Sequence, residues 1–110
     1  MKRGTFLVAL AVAVMGLDAA PATAGEVVEV AIANYKFQPE TLTIKAGTTV
    51  KWTNNEKRAT HSIWFKGEAI PESERLLSGD SFERSFDKPG TYPYTCGPHP
   101  EMHGVVEVTP

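Results

Sequence analysis

The stretch Tyr-Pro-Tyr-Thr-Cys-Gly-Pro-His-Pro-Glu-Met-His-Gly-Val-Val-Glu-Val-Thr, residues 92–109, places a short loop rich in metal-binding side chains between two strand-like patterns. Before the loop, Tyr92, Tyr94 and Cys96 occupy alternate positions, and after it valines alternate with other residues. A period of two residues is typical of a strand with one buried face. We therefore predict two strands joined by this loop.

The same alternation runs through the chain before this stretch, with Arg84 as an imperfection in one apolar face. The predicted strands cover residues 26–33, 41–45, 48–53, 61–65, 81–86, 91–96 and 104–109. We expect the segment around residues 35–38 to extend one edge. Residues 66–80 are expected to be irregular, with one helical turn near Glu72–Leu77. Short β-branched and aromatic runs separated by turn residues predict an all-β fold, an antiparallel β-sandwich of seven to eight strands.

The first 24 residues have the parts of a secretory signal peptide. Two basic residues precede an apolar run over residues 6–17, and Ala-Thr-Ala at 22–24 forms a cleavage signal. The alternative is an uncleaved membrane anchor, but a spanning helix needs about 20 apolar residues and this run is shorter. We predict a signal peptide over residues 1–24 and one domain over residues 25–110, outside the cytoplasm and without stable membrane insertion.

Composition excludes several classes of function. The predicted mature chain has 86 residues, with nine basic and twelve acidic side chains and a net charge of −3. It lacks the basic footprint of a phosphate-binding protein, so nucleic acid is not expected as a partner. The single cysteine excludes an intrachain disulfide and a c-type haem motif. Three histidines are too few for a multinuclear copper oxidase, and we predict that the protein is not an enzyme.

Cys96, His99 and Met102 form a C-x2-H-x2-M arrangement within the loop. Thiolate and thioether are soft donors, and a second imidazole would complete the mixed set that suits copper. That imidazole is available at His61, at the start of the predicted strand 61–65, and could meet Cys96 only through tertiary packing. A thiolate and two imidazoles in one plane, with a weaker axial thioether, are the expected ligands of one type 1 copper ion.

Zinc is the alternative metal, because it also binds thiolate and imidazole. It rarely uses a thioether, so a zinc site would be favoured if His103 took the place of Met102. His99 and His103 would then have to converge from a very short loop. We therefore predict Met102 as the fourth ligand and expect His103 to point outward. A metal-free sandwich used for adhesion is the reading that applies if the four residues coincide by accident.

In these residues the chain resembles the cupredoxin family of small blue copper proteins, especially its plastocyanin, amicyanin and pseudoazurin branch. The similarity covers residues 26–109, and its motifs lie at residues 35–44, 47–54, 60–63 and 92–102. The short step from the cysteine to the methionine is similar to that of amicyanin. The resemblance implies a Greek-key β-sandwich with one mononuclear copper that cycles between Cu(II) and Cu(I), ligated by His61, Cys96, His99 and Met102.

Two positions depart from the family pattern. Many relatives follow the first ligand with an Asn whose side chain ties the two ligand loops together, but here that residue is Ser62. The partner position after the cysteine is Gly97. We therefore expect a looser connection between the loops, and hydrogen bonds around metal ligands set both their orientation and the reduction potential. A backbone N–H is still expected to donate to the Cys96 sulfur.

The resemblance implies a periplasmic one-electron carrier, expected to be a monomer, that meets a redox partner such as a cytochrome, dehydrogenase or oxidase. Electrons would pass through the edge of His99, the ligand expected nearest the surface. The alternative is a periplasmic copper-tolerance protein that binds or sequesters copper, because the loop sequence also resembles such proteins. The acidic residues Glu68, Glu72 and Glu74 are either docking charges for a partly basic partner or the solvated face of a loop.

Overall fold

The computed structural model describes residues 25–110, and the predicted signal peptide over residues 1–24 lies outside them. Within the described residues there are seven strands and no helix that could cross a membrane. The strands are β1 (Val27–Ala33), β2 (Lys36–Gln38), β3 (Thr41–Lys45), β4 (Thr48–Asn54), β5 (Ser81–Phe86), β6 (Gly90–Thr95) and β7 (His103–Thr109). Six of the predicted strands are confirmed, each to within one residue at either end, and β2 is the expected edge extension.

The predicted strand over residues 61–65 is wrong. This segment makes only single bridges, from His61 to Leu76 and from Trp64 to Thr95. Its alternating apolar pattern arose because nearly the whole segment is buried between its neighbours. The predicted helical turn near Glu72–Leu77 is also wrong, because the N–H of Ser73 donates to Ile63 and that of Leu76 donates to His61. These bonds to a distant segment of the same chain use the backbone N–H groups that a helical turn would need.

Two sheets pack face to face in the orders β2-β1-β4-β5 and β3-β7-β6. The all-β sandwich is thus confirmed, but its sheets are mixed rather than purely antiparallel. β1 pairs parallel with β4, and β3 pairs parallel with β7. β4 can lie parallel to β1 because the chain leaves the first sheet for β3 and then returns at the turn through Gly47. That glycine has φ +95°, a conformation that other residues rarely adopt.

Trp52 of β4 lies at the centre of the core and is fully buried. Its ring packs edge-on against Tyr94 of β6 at a centroid distance of 5.3 Å, and its indole Nε1 donates to the Tyr94 hydroxyl at 3.0 Å. Burial of the phenol raises the pKa of Tyr94 to about 12. The bond joins the two sheets two residues before Cys96, and so fixes the strand from which the cysteine loop begins.

Arg84 of β5 points toward the core, although the alternation made it look like an imperfection. Its guanidinium carbon lies 4.4 Å from the Phe65 ring centroid, 4.5 Å from Phe86 and 5.3 Å from Tyr92. Both terminal nitrogens donate to the carboxylate of Glu68, each at 2.9 Å. The arginine therefore covers the open end of the aromatic core and holds the loop after residue 65 against the sheet.

Candidate metal centre

Three of the four predicted ligands converge at one end of the sandwich. The Cys96 Sγ lies 3.5 Å from Nδ1 of His61 and 3.6 Å from Nδ1 of His99, and the three ligand atoms all lie within 4.8 Å of one another. Cys96 and His61 are fully buried, whereas His99 is partly exposed. His61 and Cys96 are far apart in the sequence. Two backbone hydrogen bonds between Trp64 and Thr95, at 2.9 and 3.0 Å, bring their segments together.

The spacing and chemistry of these donors fit a copper ion. Sulfur and nitrogen donors that share one first-row metal in a trigonal plane lie about 3.7 Å apart, given metal–sulfur distances of about 2.3 Å and metal–nitrogen distances of about 2.0 Å. Both sulfur–nitrogen distances here are close to that value. One thiolate with two imidazoles is the in-plane donor set of blue-copper sites.

Glu56 orients His61 and was missed by the sequence analysis. Its carboxylate lies 2.9 Å from Nε2 of His61, so that the imidazole donates there and presents Nδ1 to Cys96. The same carboxylate accepts the backbone N–H groups of Asn34 at 3.2 Å and Tyr35 at 3.0 Å. Asn34 and Tyr35 both have positive φ, as the two central residues of a tight hairpin turn require. Glu56 thus ties this turn to the ligand.

The Tyr35 side chain, also missed from the sequence, lies against both imidazoles. Its ring centroid is 5.0 Å from that of His99 and 5.6 Å from that of His61, edge-on in each case. Tyr35 is 51% exposed. Its ring therefore shields one side of the imidazole pair while its remaining surface faces solvent.

The Cys96 sulfur accepts the backbone N–H of Ser62 at 3.4 Å, as the sequence analysis expected. Burial raises the pKa of the Cys96 thiol, and the donated Ser62 N–H opposes that rise. A metal binds the thiolate, so metal binding at this site would release the thiol proton.

The loop after Cys96 is closed by its own backbone. The N–H of Cys96 donates to Met102 at 3.2 Å, and the N–H of Met102 donates to His99 at 2.8 Å. Met102 is 3% exposed, whereas the side chain of His103 is 67% exposed and lies 4.0 Å from the Glu40 carboxylate. The methionine thus points inward and His103 outward, and the role of Met102 as a ligand stays a prediction.

The expected looser connection between the ligand loops is not found. The Ser62 hydroxyl donates to Glu72 at 2.5 Å and accepts the backbone N–H of Gly97 at 2.8 Å. Glu72 thus participates in the link between the two ligand loops. Glu68 is bound by Arg84. Since two of the three acidic residues have internal partners, the interpretation of Glu68, Glu72 and Glu74 as a free docking cluster is not supported.

The cupredoxin-like domain family model matches residues 6–108. Amicyanin-alpha of Methylorubrum extorquens is 39% identical over 107 residues, which is 94% of this chain and 89% of that protein. Amicyanin of Paracoccus denitrificans is 35% identical over 94 residues, 82% of this chain and 71% of that protein. The solved amicyanin of Paracoccus versutus superposes with a TM-score of 0.68 at 36% identity, over 74% of this chain and 80% of that one.

Fold, site and relatives together define the class: the chain belongs to the cupredoxin family, as a type 1 blue copper protein. Among its structural neighbours is an amicyanin mutant in its Cu(I) form, with a TM-score of 0.70 at 36% identity over 74% of this chain and 81% of that one. The amicyanin and plastocyanin relatives are electron carriers, so the prediction that the chain is not an enzyme is confirmed.

Proposed function

We propose that the protein is a periplasmic one-electron carrier whose single copper is held by His61, Cys96, His99 and Met102. The observation that carries this proposal is the buried Cys96 sulfur with an imidazole Nδ1 on either side, at 3.5 and 3.6 Å. The amicyanin and plastocyanin relatives support the carrier role. The sequence supports export with removal of residues 1–24, which leaves residues 25–110 as the mature domain.

The chain holds its ligands in a frame that resists movement. A bound copper would supply a couple between Cu(II) and Cu(I) at this frame. Pro98 and Pro100 fix φ on both sides of His99, and the backbone bonds within the loop limit its motion. Glu56 fixes the orientation of His61. A frame that changes little between two oxidation states lowers the reorganisation that each electron transfer requires.

His99 supports the proposed route for electrons, because it alone of the three converging ligands is partly exposed. Tyr35 lies beside it and is half exposed, so a partner that reaches His99 also meets this aromatic ring. We assign this end of the sandwich as the contact face for a redox partner such as a cytochrome or dehydrogenase.

Export and copper binding can be tested on one preparation. The full chain is expressed in a bacterium that secretes it, and the mass of the exported product should correspond to cleavage after Ala24. The product should bind one Cu(II) and develop intense thiolate-to-copper absorption in the visible range. Cys96→Ser should abolish the colour and His103→Ala should retain it. A colourless wild-type protein under non-reducing conditions would overturn the type 1 assignment.

The copper-tolerance alternative uses the same ligands and is separated by kinetics. The copper-loaded protein is mixed with a reduced c-type cytochrome in a stopped-flow instrument. The Cu(II) form of a carrier should take one electron from the cytochrome and become Cu(I), and after reoxidation by added ferricyanide it should do so again over many cycles without loss of copper. Release of copper on reduction, or absence of electron transfer, would favour a sequestering role.

A further inference from the structure

Ser62 and Gly97 each follow a ligand directly and are joined by one hydroxyl. A serine hydroxyl has a single hydrogen, so the bond directions are fixed once its partners are known. The N–H of Gly97 must donate to Ser62 Oγ, at 2.8 Å, and Ser62 Oγ must then donate to the carboxylate of Glu72, at 2.5 Å. Ser62 is fully buried, so water does not reach its hydroxyl, whereas the Glu72 carboxylate is 27% exposed on its outer side.

Gly97 lacks a side chain where the Glu72 carboxylate needs the space. A Cβ built on Gly97 would overlap the carboxylate and would lie 2.9 Å from Ser62 Oγ. The small residues at positions 62 and 97 are therefore matched to Glu72. On its outer side the carboxylate lies 3.6 Å from Nε of Arg75, which is mostly exposed.

We propose that Glu72 is a positioning residue of the metal centre, which acts through Ser62 to lock the two ligand loops together and to favour Cu(II) over Cu(I). The proposal rests on the proposed copper function for its electronic effect, but not for the lock. A hydrogen bond to a charged acceptor is stronger than one between neutral groups, so the carboxylate holds Ser62 firmly. The Ser62 backbone N–H that donates to Cys96 is held in place by the same contact.

The lock is tested first in the metal-free protein, through the rate at which iodoacetamide alkylates Cys96. Glu72→Ala removes the acceptor of the Ser62 hydroxyl and should increase the rate at least tenfold. Ser62→Ala should have a similar effect, and the double variant should react no faster than either single variant, because both remove the same link. Glu74→Ala, an exposed glutamate two residues away, is the matched control and should leave the rate unchanged. Equal rates for the wild type and Glu72→Ala would overturn the lock.

The electronic effect is tested by voltammetry of the copper-loaded protein. Glu72→Gln retains an acceptor oxygen but removes a negative charge close to the site. It should shift the Cu(II)/Cu(I) equilibrium about tenfold toward Cu(I), a rise in reduction potential of about 59 mV for one electron. Glu74→Gln should change the Cu(II)/Cu(I) equilibrium by much less than tenfold, so that its reduction potential stays close to that of the wild type. Equal potentials for Glu72→Gln and Glu74→Gln would overturn this part.

Where Glu72→Ala does not fold, the alkylation rate of Ser62→Ala, which keeps the carboxylate, decides on the lock, and a stability measurement tests the fit between Gly97 and Glu72. Gly97→Ala should lower the melting temperature of the wild type and lower it less in the Glu72→Gly background, where the carboxylate no longer occupies the space of the new methyl group. Equal decreases in melting temperature in both backgrounds would show that the Glu72 carboxylate does not require a glycine at position 97. Failure of the wild type to bind copper would sink the proposed function, while the alkylation rates would still decide on the lock.

Discussion

Arg84→Ala should destabilise the metal-free protein by about 1–3 kcal/mol. The guanidinium carbon lies within 4.5 Å of the Phe65 and Phe86 ring centroids, and a partly desolvated cation–π contact contributes about 0.5–1 kcal/mol, so the two together give about 1–2. The bidentate pair with Glu68 is partly exposed, with side-chain exposures of 21% and 32%, and contributes up to about 1 kcal/mol. For a domain of this size, the melting temperature should fall by roughly 4–24 °C.

The assay is urea unfolding of the metal-free wild type and variants, followed by tryptophan fluorescence. Arg84→Lys should recover part of the loss, because an ammonium keeps the charge but cannot bind Glu68 through two parallel bonds. Glu68→Gln should lose only the ion-pair part, and Arg58→Ala, at another exposed arginine, serves as the control. A loss below about 0.5 kcal/mol for Arg84→Ala, the range of ordinary surface substitutions, would refute the reasoning.

Three further predictions concern pH, the axial position and metal removal. The unfolded chain releases the Tyr94 phenol proton near pH 10, whereas the folded protein keeps it to about pH 12. The stability that this group contributes is therefore present below pH 10 and is lost progressively as the pH rises through 12, by on the order of 2–3 kcal/mol in total. Urea unfolding at several pH values should show this loss in the wild type and not in Tyr94→Phe. Met102→Leu should keep copper bound but raise the reduction potential, whereas His103→Ala should leave the visible spectrum and the potential nearly unchanged; voltammetry showing the reverse would mean that the ligand assignment is wrong. Copper removal by a chelator should lower the melting temperature measured by calorimetry, because the metal binds only the native state, and identical curves would count against an intact site.

The sequence predicted the strands well wherever one face is buried and the other exposed. β3 and β5 have their predicted bounds, because alternation reports this two-sided environment directly. The same alternation gave a wrong strand at residues 61–65, where burial on several sides produces an apolar pattern without a hydrogen-bonded ladder. A periodic pattern reports burial, and burial alone does not show which backbone groups are paired.

The converging ligands were predictable because a thiol, an imidazole and a thioether crowd into one short loop. Their supporting residues were not. Glu56, Tyr35 and Glu72 come from three other segments, and their side chains are of ordinary surface types. Only the tertiary fold brings them to the site. The one available signal was that Ser62 and Gly97 depart from the family pattern. These are the positions at which a third residue, Glu72, takes part in the link between the loops.

The position of β7 has a consequence for the order in which the chain can fold. β7 is the middle strand of its sheet, and Thr41 of β3 pairs with Val105, 64 residues later. β3 and β6 therefore have no common neighbour in the sheet until residues 103–109 are in place. Contacts between such distant residues slow folding, because a long loop must close before the pairing stabilises it. We therefore expect the Cys96 thiol of a folding chain to remain accessible until β7 has joined the sheet.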